Sequence, residues 1–176
     1  MNTSLPNLGN PEPYSKEYLG KLVKFVPVKD KDILTIFWIL PYMQLDIASQ
    51  PLGYYSFLFG HEGPNSLLSY LKSEDLAYEL SAGGDHELWS FSNFYVDISL
   101  TKKGLANYEK VVEAVFDYAQ RIREKGPQKY IFEENNDLGK MQFEFQDKMN
   151  AVSYCVGLAS KMQYFDDSNM ENLLRS

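Results

Sequence analysis

At Thr101 the apolar pattern of this chain changes from a period of two to a helical period, and that switch limits what can be built around it. Upstream, Trp89 to Leu100 alternates, with Phe91, Asn93, Tyr95, Asp97 and Ser99 on one face and their neighbours on the other, the pattern of a strand. Downstream, Val111, Val112, Val115, Phe116, Tyr118, Ala119 and Ile122 recur along one stripe of a helix that Gly126 ends. Thr101 is placed to cap it. A strand and an amphipathic helix, each with one apolar side, reach stability by layering those sides against each other.

The rest of the chain fills in an α+β order, strands first, with helices packed on one face of an antiparallel sheet. Leu22 to Val28 and Ile33 to Leu40 are apolar runs separated by charged Lys29 to Asp32, which predicts a hairpin with the second strand the more central. Pro27 cannot donate to a ladder, so the first strand belongs at an edge or carries a bulge. Pro51 to Phe59 reads as a short buried helix stopped by Gly60, and a second starts at Pro64 or Asn65 and runs through Leu67, Leu68, Tyr70 and Leu71. Leu76 to Leu80 reads as a strand, with Gly83-Gly84-Asp85 as the turn that follows. Pro127 suits the first position of a helix carrying Ile131, Phe132, Leu138, Met141, Phe143 and Phe145, and Ala151 to Phe165 reads as another. Residues 1–19, with Pro6, Gly9, Pro11 and Pro13, form a lead-in that is extended as far as Tyr14, and 20–176 form one domain.

The 176 residues carry a net charge of -7, with no basic stripe along the chain, so nucleic acid is excluded as a partner. The longest apolar run, Ile33 to Pro41, is too short to span a bilayer, which leaves no membrane role. Neither a basic nor a long apolar leader opens the sequence. The single cysteine, Cys155, sits on an apolar helical stripe and is expected in the core, and its solitude fits a reducing, cytoplasmic compartment.

Hydrolytic zinc sites on a helix need two histidines a turn apart and a glutamate to activate the bound water. This chain has only His61 and His86, so no catalytic or metal-ligating residue is assigned and the chain alone is expected to be inactive. His61 and Glu62 read as residues that orient a turn, and His86 and Glu87 as part of a solvated hairpin; an autonomous hydrolase built from these four is the remote rival. Glu133 and Glu134 belong on the wet face of a helix. Gly83 and Gly84 lack the later glycine and lysine of a phosphate loop.

Gly60-His61-Glu62-Gly63-Pro64 with Ser66-Leu67-Leu68, then Ser81-Ala82-Gly83-Gly84, together with the flanks from Lys21 to Asp30 and from Asp97 to Gly104, resemble the second, non-catalytic domain of the insulin-degrading-enzyme (insulysin, pitrilysin, nardilysin) family of inverted zinc peptidases. The resemblance runs from Leu5 to Leu174. It implies a LuxS/MPP-like metallohydrolase sandwich that stops before its final strands, inside a zinc metalloendopeptidase that encloses short peptides between two halves. Zinc would lie in another domain of that parent, because His61-Glu62-Gly63 departs from the family's His-x-x-Glu-His pattern. The helix from Pro51 to Phe59 corresponds to the parent's catalytic helix, with Tyr54, Tyr55, Phe57, Leu58 and Phe59 in place of ligands.

The same resemblance implies an exosite that grips the amino terminus of a peptide substrate, made here by Gly60, Ser81, Ala82, Gly83 and Asp85. Glu62 or Asp85 would pair with the α-ammonium. Gly53 and Phe57 replace the family's exosite histidines, so their hydrogen bonds are missing here. The implied partners are the substrate, the other domains of the parent and a second copy of that parent; Tyr42, Tyr54, Tyr55, Tyr154, Tyr164 and Phe165 are expected to include residues that face a neighbouring domain. The rival expectation is a purely structural domain with no peptide affinity, in which Gly60, Gly63, Gly83 and Gly84 serve only the fold.

Overall fold

A three-stranded antiparallel sheet forms the centre of the computed structural model, which describes residues 14–26, 28, 31–42, 51–85 and 91–162, the Asp85 side chain excepted. Its strands are β1 (Ile33–Pro41), β2 (Ala77–Asp85) and β3 (Phe91–Leu100), in the spatial order β1, β3, β2. β3 is therefore the central strand, and among the described residues β1 pairs with β3 alone. The apolar run of β1, interrupted only by Thr35, reflects two faces in different settings. Leu34, Ile36, Trp38 and Leu40 pack on the core, while Ile33 and Phe37 point away from it and stay exposed.

The helices are α1 (Pro51–Gly60), α2 (Leu67–Ser73), α3 (Lys102–Ala106), α4 (Tyr108–Lys125), α5 (Lys129–Glu144) and α6 (Ala151–Lys161). One sheet face is covered as the alternation demands. Leu80 of β2 and Phe94, Val96, Ile98 and Leu100 of β3 meet Leu52 and Phe59 of α1, Leu67, Leu68 and Leu71 of α2, and Val111 and Val115 of α4. The Thr101 hydroxyl accepts from Gly104 N–H at 2.9 Å and donates to Asp75 O at 2.7 Å, so Thr101 caps the short α3 and ties it to the end of α2; the helix with the apolar stripe, α4, starts afresh after Asn107, which corrects the expectation that Thr101 caps it. Gly126, at φ 65°, ends α4 in the left-handed region that favours glycine.

Four further expectations are revised. Residues 21–26 form no strand, and Phe25 and Val26 are 81% and 95% exposed, since no described strand lies beside them to pair with their backbone; Pro27, Lys29 and Asp30 lie outside the described residues. α2 starts two or three residues later than expected, because the Ser66 hydroxyl accepts from Ser69 N–H at 3.1 Å and makes Ser66 the cap. Pro127 precedes α5 instead of opening it: Gln128 occupies the cap position and donates its N–H to Tyr54 Oη at 2.9 Å. Cys155 is exposed, because α6 buries none of its residues against the described core. Residues beyond Met162, including Tyr164 and Phe165, lie outside the described residues.

Candidate functional site

The largest departure from the sequence reading falls on the double glycine. Gly83, Gly84 and Asp85 are not a turn; they continue β2 and pair with Tyr95, Phe94 and Asn93 of β3. The reason is packing. A Cβ on Gly84 would stand 2.7 Å from Leu52 Cβ, and one on Gly83 would stand 2.6 Å from Tyr95 Oη, so each glycine lets a side chain of α1 or β3 lie flat on the strand. Residues 86–90, which include His86 and Glu87, lie outside the described residues.

β2 alternates across the sheet like any strand. Leu80, Ala82 and Gly84 face the helical layer, while Glu79, Ser81 and Gly83 share the open face with Tyr95, Asp97 and Ser99. Of the residues assigned to peptide anchoring, Ser81 is exposed, Gly83 is half-buried under Tyr95, and Ala82 turns its methyl to the core so that only its backbone can serve a ligand. Among the described residues β2 pairs only with β3, which leaves its outer edge without a strand partner.

Gly60 is the last residue of α1, and nothing lies within 4 Å of where its Cβ would be. The end of α1 is positioned from α4: Tyr118 Oη donates to Leu58 O at 3.1 Å, and the partial burial that comes with it pushes the Tyr118 phenol above its ordinary value, with Arg121 acting weakly in the opposite direction. Beyond Gly60 the chain turns through Asn65, at φ 64°, a left-handed conformation that asparagine tolerates. The His61 ring lies over Gly63, where a Cβ would come 2.5 Å from Nε2, and its backbone N–H donates to Leu58 O at 3.4 Å. That is the turn-orienting role expected of His61.

Glu62 then reaches β2. A groove of about 540 Å³ with Leu68 and Leu80 among its walls brings Glu62 from the α1–α2 connection together with Lys72 of α2, Glu79 and Ser81 of β2, and Asp97 of β3. The family resemblance places Glu62 and Ser81 at one site; Lys72, Glu79 and Asp97 join them only through the fold. No local pattern marks them as neighbours of Glu62.

Among the described residues no three His, Cys, Asp or Glu side chains cluster closely enough to hold a metal ion. α1 fits zinc poorly for a positive reason. Phe59 is buried against Phe94 and Tyr118, Tyr54 accepts from Gln128, and Tyr55 packs edge-on to Phe94, so these side chains are occupied in holding the fold and offer no imidazole or carboxylate. No described helix is long and apolar enough to cross a membrane.

Comparison with known proteins finds the same mixed sheet-and-helix fold. Residues 3–136 match the family model described as the peptidase M16 inactive domain. The chain belongs to the peptidase M16 family, as a domain of the inactive kind. It is 36% identical over 165 residues to insulin-degrading enzyme of Homo sapiens, covering 93% of this chain and 16% of that protein. It is 32% identical over 175 residues to nardilysin of Rattus norvegicus, covering 93% of this chain and 15% of that protein. Among solved structures, the crystal structure of pitrilysin superposes with a TM-score of 0.76 at 25% identity, over 82% of this chain and 16% of that one. The chain thus spans about a sixth of the length of these relatives.

Proposed function

We propose that this domain is a non-catalytic part of a zinc metalloendopeptidase that degrades short peptides, where it completes the wall of the catalytic chamber and anchors the amino terminus of the substrate. The observation that carries this reading is the groove in which Glu62, two residues past Gly60, meets Ser81 on a strand whose outer edge no described strand occupies. A peptide extended along that edge would exchange main-chain hydrogen bonds with β2 from Ser81 to Asp85, while Gly83 permits close approach. The Glu62 or Asp85 carboxylate would pair with its α-ammonium. Anchoring one end in this way places the scissile bond, held by another domain, without any chemistry here. Zinc would belong to that other domain.

The same reading makes the fold a LuxS/MPP-like sandwich spanning residues 20–176 behind a lead-in of 1–19. It makes the parent a cytoplasmic enzyme whose other domains, and a second copy, are the lasting partners. Exposed Tyr55 and Tyr154 are suited to such a contact. One observation favours a purely scaffolding domain: Gly84 is required by Leu52 whether or not a peptide binds.

An amide NMR titration of the chain with a short peptide, in free-amino and acetylated forms, separates the two. Shifts at Gly60 and Ser81 to Asp85 with the free-amino form alone support anchoring. No shift with either form leaves the domain as scaffold.

A further inference from the structure

An aromatic row crosses the middle of the open sheet face. The register sets Phe37 of β1 opposite Tyr95 of β3, and Tyr95 opposite Gly83 of β2. Tyr14 extends the row on the far side, packing edge-on against Phe37 with ring centroids 6.5 Å apart. At its other end the row stops at a residue without a side chain. Tyr95 reaches over to cover it: Oη and Cζ stand 2.6 and 2.8 Å from where a Gly83 Cβ would be. The ring therefore spans about one strand spacing, and its tip ends over β2, whose outer edge no described strand occupies. Tyr95 is 37% exposed and its hydroxyl bonds to no described residue, so the ring can tilt. The rows on either side are polar at their centres, with Asp97 on one and Asn93 on the other, so the aromatic surface meets the edge of β2 at Gly83 alone.

We propose that Tyr95 makes this edge select peptides with an aromatic or large aliphatic side chain at their third residue, an inference that rests on the anchoring reading above and names its substrate class. A peptide added to β2 becomes the next column of the sheet, and its side chains alternate between the two faces. Gly83 lies two residues from Ser81 and two from Asp85, so a peptide whose first residue pairs at either end of that stretch sets its third opposite Gly83, whichever way it runs. That third side chain projects on the open face. Directly opposed Cβ positions are about 4.5–5.5 Å apart, and no β2 side chain stands between it and the Tyr95 tip. A ring or a branched aliphatic group there buries apolar surface against Tyr95, and an aromatic one adds the edge-to-face contact. The arrangement is the one in which an aromatic residue on a neighbouring strand compensates an edge glycine. Alanine is too short to reach the ring, and a carboxylate would lose water against it. Main-chain pairing supplies the grip, and Tyr95 supplies the choice.

The test is a set of peptides identical except for phenylalanine, leucine, alanine or aspartate at the third position, with a control set varied in the same way at the second, each with free and acetylated amino termini. They are titrated by NMR into the full chain and into its Tyr95→Ala variant. The third-position phenylalanine peptide is expected to bind roughly fivefold more tightly than the alanine peptide, the scale of one aromatic pair, with leucine between them and aspartate weakest. The same changes at the second position should have little effect, and the phenylalanine preference should be largely lost in Tyr95→Ala. In the unchanged chain, intermolecular NOEs should join the peptide ring to the Tyr95 ring, a readout that stands even if the variant does not fold. Equal binding of the phenylalanine and alanine peptides, with the free-amino requirement intact, overturns the selection and leaves the anchor standing. A phenylalanine preference undiminished in folded Tyr95→Ala, or NOEs to other residues only, overturns the assignment to Tyr95. A Tyr95-dependent preference that persists unchanged in acetylated peptides keeps the selection and removes the anchor. No binding by any peptide overturns both.

Discussion

Gly104 is the position at which a single methyl group costs the most. A Cβ there would run into the Leu76 carbonyl, which is fixed by accepting from Thr101 N–H at 3.1 Å, so neither side can yield. Gly104→Ala is expected to lower stability by about 3 kcal/mol, the scale of a rigid overpacked site, measured as a lower urea midpoint at unchanged slope. The two strand glycines should behave differently from each other. Gly84→Ala drives Cβ into buried Leu52 and should cost about 2 kcal/mol, whereas Gly83→Ala meets the tip of a half-exposed Tyr95 ring that can swing away, and should cost less than about 1 kcal/mol. A Gly83→Ala chain that stays stable yet loses the peptide-induced shifts would assign Gly83 to binding; loss of stability equal to that of Gly84→Ala would assign it to the fold. Tyr118 adds a pH dependence. Its folded-state value is raised by burial, so its contribution is fully present below the ordinary 10.0 and is lost as pH rises from there toward the folded value, because the unfolded chain releases the proton first. Tyr118→Phe should therefore remove part of the alkaline decline in stability, and parallel alkaline limbs for the two proteins would count against this.

Among the elements, burial is concentrated. β3, α2 and α4 hold the residues with no exposure, Ser92, Val96, Ile98, Leu71, Val111 and Val115, while α5 and α6 bury none of theirs. Hydrogen exchange should find β3, α2 and α4 protected near the global stability and α5 and α6 opening far more readily; uniform protection across all six helices would contradict this distribution. The elements that sequence located well are those whose own side chains carry the signal. The α4 stripe and the Gly126 stop are local chemistry, legible within a few residues, whereas the break at Asn107 that gives Thr101 to α3 is not. Two readings failed where the signal was ambiguous: a Gly-Gly pair suits a turn as well as a crowded strand, and the lone Cys155 is exposed on a helix that buries none of its residues against the described core.

At the scale of the whole molecule, apolar surface is distributed unevenly. Phe25, Val26, Phe37, Tyr130, Phe145 and Val152 are all exposed, and β1 and β2 each present an edge that no described strand occupies. Such edges and patches pair readily, so sedimentation should show masses above the 20.3 kDa of one chain that rise with concentration. A mass fixed at the monomer over a micromolar to millimolar range would show the edges to be protected.

The sequence by itself determined the α+β order, the stop of α4 at Gly126, the absence of a second histidine a turn from His61, and the family resemblance, since each is written in residues close together in the chain. Only the tertiary structure decided that β3 is central, that Leu52 lies flat on Gly84, and that Glu62, Glu79 and Asp97 share one groove. Those facts join positions many residues apart through strand register and helix packing, and no local period can encode which distant side chains a fold will bring to the same face.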